Sequence, residues 1–206
     1  WSTMEPHDGI FNFSHIDRVL DAMYKAGIYV IIGTPTYAVP TWLVQKYPDV
    51  LAITSRGPNQ YGARQNMDIT NPHYRFYAER AIRKLLEHVK DHPAIIGYQI
   101  DNETKAYHTA GPEVQKQFVT YMKEKFITLD SINKSFGLDY WSNRINDWKD
   151  FPSMIGSINA SQNAEFEKFQ RKLVTDFLEW EAKIVREYKH SDQFITQNFD
   201  FGWKGF

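Results

Sequence analysis

The chain has 206 residues with 24 basic and 25 acidic side chains, a formal net charge of -1, 16% aromatic residues and no cysteine. That length suffices for one domain with a sizeable core, and the balanced charge recruits neither nucleic acid nor an anionic membrane. The missing cysteines exclude disulfides and thiolate metal sites, and no apolar run is long enough to span a bilayer.

Ser14 to Gly27 carries Ile16, Val19, Leu20 and Met23 at helical spacing. Ser14 and Asp17 are placed as a capping box and Gly27 as a C-cap. Ile28–Gly33 is a short β-branched run and reads as a buried strand. Pro35 and Pro40 break the chain before a helical piece at Trp42–Lys46. The polar stretch from Asp49 to Asn71 is long for a loop in a compact domain, which marks it as functional. Asn71-Pro72 opens a helix whose stripe is Tyr74, Tyr77, Ala81, Leu85 and Val89, and Pro93 stops it. His88 and His92 read as solvent-facing cations at its end.

Ala94–Ile100 is the next strand. Pro112 begins a helix with Val114, Phe118, Tyr121, Met122 and Phe126 inward. Residues 129–160 read as an irregular insertion with one helical turn near Ile132–Phe136. A long helix covers roughly Ala164–Lys189, with Phe166, Phe169, Leu173, Phe177, Ile184 and Tyr188 along one side. Phe194–Phe199 is the last strand. This alternation is α/β and predicts a parallel sheet with crossover helices. A doubly wound open sheet is the rival, but no Gly-rich phosphate loop follows any strand.

Gly97-Tyr-Gln-Ile-Asp-Asn-Glu103 holds the main candidate for chemistry. An apolar strand ending on a carboxylate puts an acid at the rim of the sheet, where α/β barrels do their chemistry. Alternation places Gln99, Asp101 and Glu103 on one side of the strand, with Gln99 and Asp101 in supporting layers below Glu103. Asn102 joins the site only if the strand bulges or ends there.

In order along the chain, Trp1-Ser-x-Met-Glu5-Pro6-x-x-Gly9-x-Phe11-x-Phe13, Gly33-Thr-Pro-Thr-x-x-x-Pro40-x-Trp42-Leu43, Tyr61-Gly62-x-Arg64, Gly97–Glu103 and Thr196-x-Asn198-Phe199 resemble the β-galactosidases of glycoside hydrolase family 42. The resemblance implies a (β/α)8 TIM barrel that releases terminal β-linked galactose with retention. Glu103 matches the general acid/base, Asn102 the residue that bonds the sugar 2-hydroxyl, and Arg64 a sugar-binding arginine. Trp141, in the Trp- and Asn-rich insertion, resembles a tryptophan shaping the galactose pocket. A neighbouring carboxylate and partial burial are expected around Glu103, Glu5 is read as structural or rim-lining, and Trp42 as a loop anchor.

Retention needs a second carboxylate about 5–5.5 Å from the first. The family carries it on the seventh strand, and Asp101, Asp200 and Glu5 are poor substitutes. The chain is therefore expected to hold the end of strand two and strands three to five of one incomplete barrel domain, residues 1–206. Many family members also carry a cysteine zinc cluster with a ligand just after the matched arginine. Here Gln65-Asn66-Met67 stands there, so no metal and no cofactor are expected. The partner implied is a galactoside or oligosaccharide, with a homo-oligomer (a trimer) and a cytoplasmic location by the same resemblance. Two other readings stay open: a related barrel glycosidase acting on an arabinoside or β-glucoside, and a non-catalytic sugar-binding segment.

Overall fold

A computed structural model describes residues 1–105 and 108–199. In chain order the elements are α1 (Ser14–Lys25), β1 (Val30–Gly33), α2 (Thr41–Lys46), β2 (Ile53–Thr54), β3 (Gly57–Pro58) and α3 (Pro72–Val89). They continue with β4 (Ile95–Gln99), α4 (Pro112–Phe126), α5 (Leu129–Phe136), α6 (Ala160–Arg186) and β5 (Phe194–Thr196). Three strands form a parallel sheet in the order β1-β4-β5, with Ile31 opposite Gly97 and Tyr98 opposite Ile195. Consecutive parallel strands joined through helices make an arc of a (β/α) barrel, as the alternation predicts.

Two apolar clusters hold the arc. In the first, Ala81, Ile82, Leu85, Leu86 and Val89 of α3 meet Ile95 and Tyr98 of β4, Leu20 of α1, and Ala182, Ile184 and Val185 of α6. The predicted α3 stripe is buried at every position, and the Asn71 side chain caps the helix by accepting from the Tyr74 amide. The second cluster gathers Phe118 and Met122 of α4, Ile132 of α5, Phe151, and Phe166, Phe169 and Phe177 of α6. Each fully buried side chain of this size contributes about 1.5–3 kcal/mol. Gly97 is needed where it stands, because a Cβ there would lie 2.7 Å from the Phe194 ring on β5.

Several expectations are corrected. The Ser14–Asp17 capping box does not form; Asn12 accepts the Ser14 amide instead. Val19 is 52% exposed, and Leu20 alone of its stripe is buried. His88 and His92 do not simply face solvent. His88 lies 2.6 Å from Asp17 and stacks on Phe13, and His92 reaches Asp21 at 3.5 Å, so both face acids of α1. The 49–71 loop contains the β2–β3 hairpin. The 129–160 insertion is more ordered than a single helical turn: Thr128 caps the two-turn α5, and Gly137 ends it in the left-handed conformation. The long helix starts earlier than predicted, where Asn159 accepts the Gln162 amide, and ends at Arg186.

Candidate active site

β4 ends at Gln99, and the chain then leaves extended geometry. Asp101 (φ 43°) and Glu103 (φ 49°) both adopt the left-handed conformation. That costs a non-glycine residue about 1–2 kcal/mol, so the turn persists only where its surroundings over-determine it. Hydrogen bonds do so from three sides. From the arginine loop, the Gln65 amide donates to the carbonyls of Asn102 at 2.7 Å and Glu103 at 2.9 Å. From the segment after β5, Asn198 accepts the Glu103 amide at 3.1 Å and donates to Asn102 Oδ1 at 3.1 Å. From below, the Asp101 amide is shared between Thr34 Oγ1 at 2.6 Å and Glu181 Oε2 at 2.8 Å.

The expectation of strict alternation through Glu103 therefore fails after Gln99, and Asn102 enters the site because the strand has ended. Asp101 keeps its supporting role. Its carboxylate is fully buried and accepts from the hydroxyls of Thr36, at 3.1 Å, and Thr104. The Glu103 side chain is 28% exposed, and Arg64 Nη2 donates to its carboxylate at 2.6 Å. The charged group placed against Glu103 among the described residues is thus a guanidinium, where a carboxylate was expected. An acid, a cation and an amide converge at the end of a barrel strand, an arrangement suited to holding a hydroxylated ligand and moving a proton. Beside it a cavity of about 380 Å³ is lined in part by Gly33, Thr34, Tyr37, Gln99, Asp101 and Asn102.

Trp141 is not brought to this cluster. It is 85% exposed on the insertion, and the ring it meets is Tyr140. Glu5 is structural: fully buried, it accepts from the Trp1 indole at 2.7 Å and the Gly9 amide at 2.9 Å and pairs with Arg80. Trp42 anchors the neighbouring loop by donating to the Glu5 carbonyl at 2.9 Å. Asp200, weighed as a substitute nucleophile, lies outside the described residues. Among the described residues no group of three or more His, Cys, Asp or Glu is placed to hold a metal ion, and no helix is long and apolar enough to cross a membrane.

Sequence reading missed Gln65 and Glu181 and assigned no role to Asn198. Glu181 had a signal: a carboxyl one turn from both Phe177 and Val185, on the apolar face of α6. Burial and the charge of Asp101 push the Glu181 carboxyl up to about 8, so it is protonated at neutral pH, and Asp101 accepts from its two threonines.

The family model of the glycosyl hydrolase family 42 β-galactosidases matches residues 1–205. Over 202 residues the chain is 30% identical to the β-galactosidase BgaA of Clostridium cellulovorans, covering 96% of this chain and 30% of that protein. It is 32% identical over 194 residues to the β-galactosidase bgaB of Geobacillus kaustophilus, covering 91% of this chain and 29% of that one. Among solved structures, a catalytic mutant of Gan42B, a GH42 β-galactosidase from G. stearothermophilus, superposes with a TM-score of 0.90 at 32% identity over 100% of this chain and 31% of its own. The chain thus spans about 30% of the length of the relatives it matches.

Proposed function

The chain belongs to glycoside hydrolase family 42, and from that premise we propose that the protein is a retaining β-galactosidase whose acid/base is Glu103. The observation that carries this reading is the convergence of Glu103, Arg64 and Asn102 at the end of β4. In the reaction Glu103 donates its proton to the glycosidic oxygen as the bond to the leaving group breaks. It then takes a proton from the water that releases the sugar.

Without substrate, Arg64 occupies the Glu103 carboxylate. An entering galactoside offers hydroxyls to the guanidinium and draws it toward the sugar. Asn102 has its Oδ1 engaged by Asn198, and none of the described hydrogen bonds uses its Nδ2, which suits it to donate to the sugar 2-hydroxyl. Trp141 has an exposed ring face but is not brought to the Glu103 cluster, so a stacking role against galactose rests on the resemblance alone. The nucleophile is supplied by polypeptide outside these 206 residues, which form part of one barrel domain. The working form is a homo-oligomer acting on a galactoside or galacto-oligosaccharide.

Glu103→Gln in the full-length enzyme tests the assignment. The expected outcome is a loss of about 10²–10⁴ in kcat/KM for an alkyl β-galactoside, a much smaller loss for a dinitrophenyl β-galactoside, and recovery of turnover of the activated substrate by azide. Equal losses on both substrates without azide recovery would overturn it.

A further inference from the structure

Glu181 occupies a position on α6 where packing favours an apolar side chain. Phe177 and Val185 lie one turn away on either side, and all three are fully buried. A buried carboxyl destabilises the fold by several kcal/mol unless its oxygens find partners. Only one of its oxygens does. Oε2 accepts from the Thr34 hydroxyl at 2.7 Å and the Asp101 amide at 2.8 Å, whereas Oε1 has no hydrogen-bond partner among the described residues. Both partners lead to one place. Thr34 follows β1, and its Oγ1 also accepts the Asp101 amide, the first link of the left-handed turn. A neutral carboxyl serves as well here as a charged one, since Oε2 accepts in either form, and burial together with the Asp101 charge favours the neutral form.

The turn has two kinds of support. Gln65 and Asn198, both partly exposed and on loop segments, hold it from one side. Thr34 and Glu181, both buried, hold its first amide from beneath. A helix of 27 residues clamped in two apolar clusters is a stiffer reference than either loop. We propose that Glu181 is a positioning residue for the rim acid: by holding the Asp101 amide together with Thr34, it fixes the left-handed turn that presents Asn102 and Glu103 to the substrate.

The proposal rests on the acid/base reading of Glu103, and its test separates the two. In the full-length enzyme, Glu181→Leu, Glu181→Gln, Thr34→Val and Glu103→Gln are compared with wild type. Each is measured for kcat/KM on an alkyl and on a dinitrophenyl β-galactoside. A misplaced acid penalises the substrate that needs protonation of its leaving group, whereas general loosening of the fold penalises both alike. Glu181→Leu is expected to lower kcat/KM for the alkyl galactoside by about 10²-fold, the scale of a misplacement near 1 Å, with far less effect on the dinitrophenyl substrate. Glu181→Gln keeps an acceptor oxygen and should restore most of the loss. Should Glu181→Leu not fold, Thr34→Val, which removes the other acceptor of the same amide, decides by the same ratio. Equal losses on the two substrates, or none, would overturn the proposal if Glu103→Gln discriminates between them. If Glu103→Gln fails to discriminate, the acid/base reading falls and takes this proposal with it.

Discussion

Two of the turns that place non-glycine residues in the left-handed region are held in opposite ways. At the end of β4, Asp101 and Glu103 are fixed by partners from the segment after β1, α6, the arginine loop and the segment after β5. At the tip of the insertion, Trp141 (φ 45°) and Ser142 (φ 61°) sit in a local turn. The amide and side chain of Asn143 both donate to the Tyr140 carbonyl, at 2.9 and 2.8 Å, and distant support is a 3.4 Å contact from Asn159 to the Tyr140 hydroxyl. The same backbone conformation is a tertiary product in one place and a sequence-local product in the other. Strain that the rest of the fold over-determines is the kind found at sites of chemistry.

The contrast can be broken first at its strongest point, by the substrate-dependent loss expected of Glu103→Gln. No substitution at the insertion tip should reproduce that loss. Next comes Asp101→Gly. Glycine adopts the left-handed conformation freely, so a purely local view predicts stabilisation. The structure predicts a destabilisation of about 2–5 kcal/mol by denaturant titration, because Thr36 and Thr104 lose their buried acceptor.

The third test is pH. The Glu181 carboxyl is raised from 4.5 to about 8 in the folded protein. Below 4.5 it is protonated whether the chain is folded or not and adds no pH dependence. Between 4.5 and 8 the unfolded chain releases a proton that the folded chain keeps, so stability falls as pH rises through that window. Glu181→Gln cannot titrate and should gain on wild type across it. A stability difference that is the same at both ends of the window would refute the burial of a neutral acid.

The smallest effects belong to the insertion. Trp141→Ala should change stability by less than about 0.5 kcal/mol, as an exposed residue does, while raising KM for galactosides if its ring stacks on the sugar. Ser142→Gly should stabilise the protein by up to about 1 kcal/mol through relief of the left-handed residue. A loss of stability from that change would mean that the tip has tertiary partners like those of the rim.

Much of this was legible along the chain. The α3 stripe, the β4 run and the Asn71-Pro72 start are patterns of period 3.6, of β-branched residues and of capping, all decided within a few residues. The candidate acid was legible as a carboxylate closing an apolar strand. The capping box at Ser14 was misread because Asn12, two residues earlier, reaches the same amide. The start of α6 moved because Asn159, read as part of an irregular insertion, is the cap. Gln65 looked like an ordinary loop residue, since its carbonyl partners lie 37 and 38 residues away.

By itself the sequence determined the class of the fold, the order of its strands and helices, and the residue types at the strand rim, because local periodicity and side-chain chemistry are properties of neighbours in the chain. Tertiary structure alone decided that β4 stops at Gln99, that Asn102 turns into the site, that Arg64 meets Glu103 and that a buried acid on α6 grips the amide beneath them. Those outcomes depend on hydrogen bonds between residues 39 to 96 positions apart, and such partners are chosen only when packing brings the strand ends, the loops and α6 to one place.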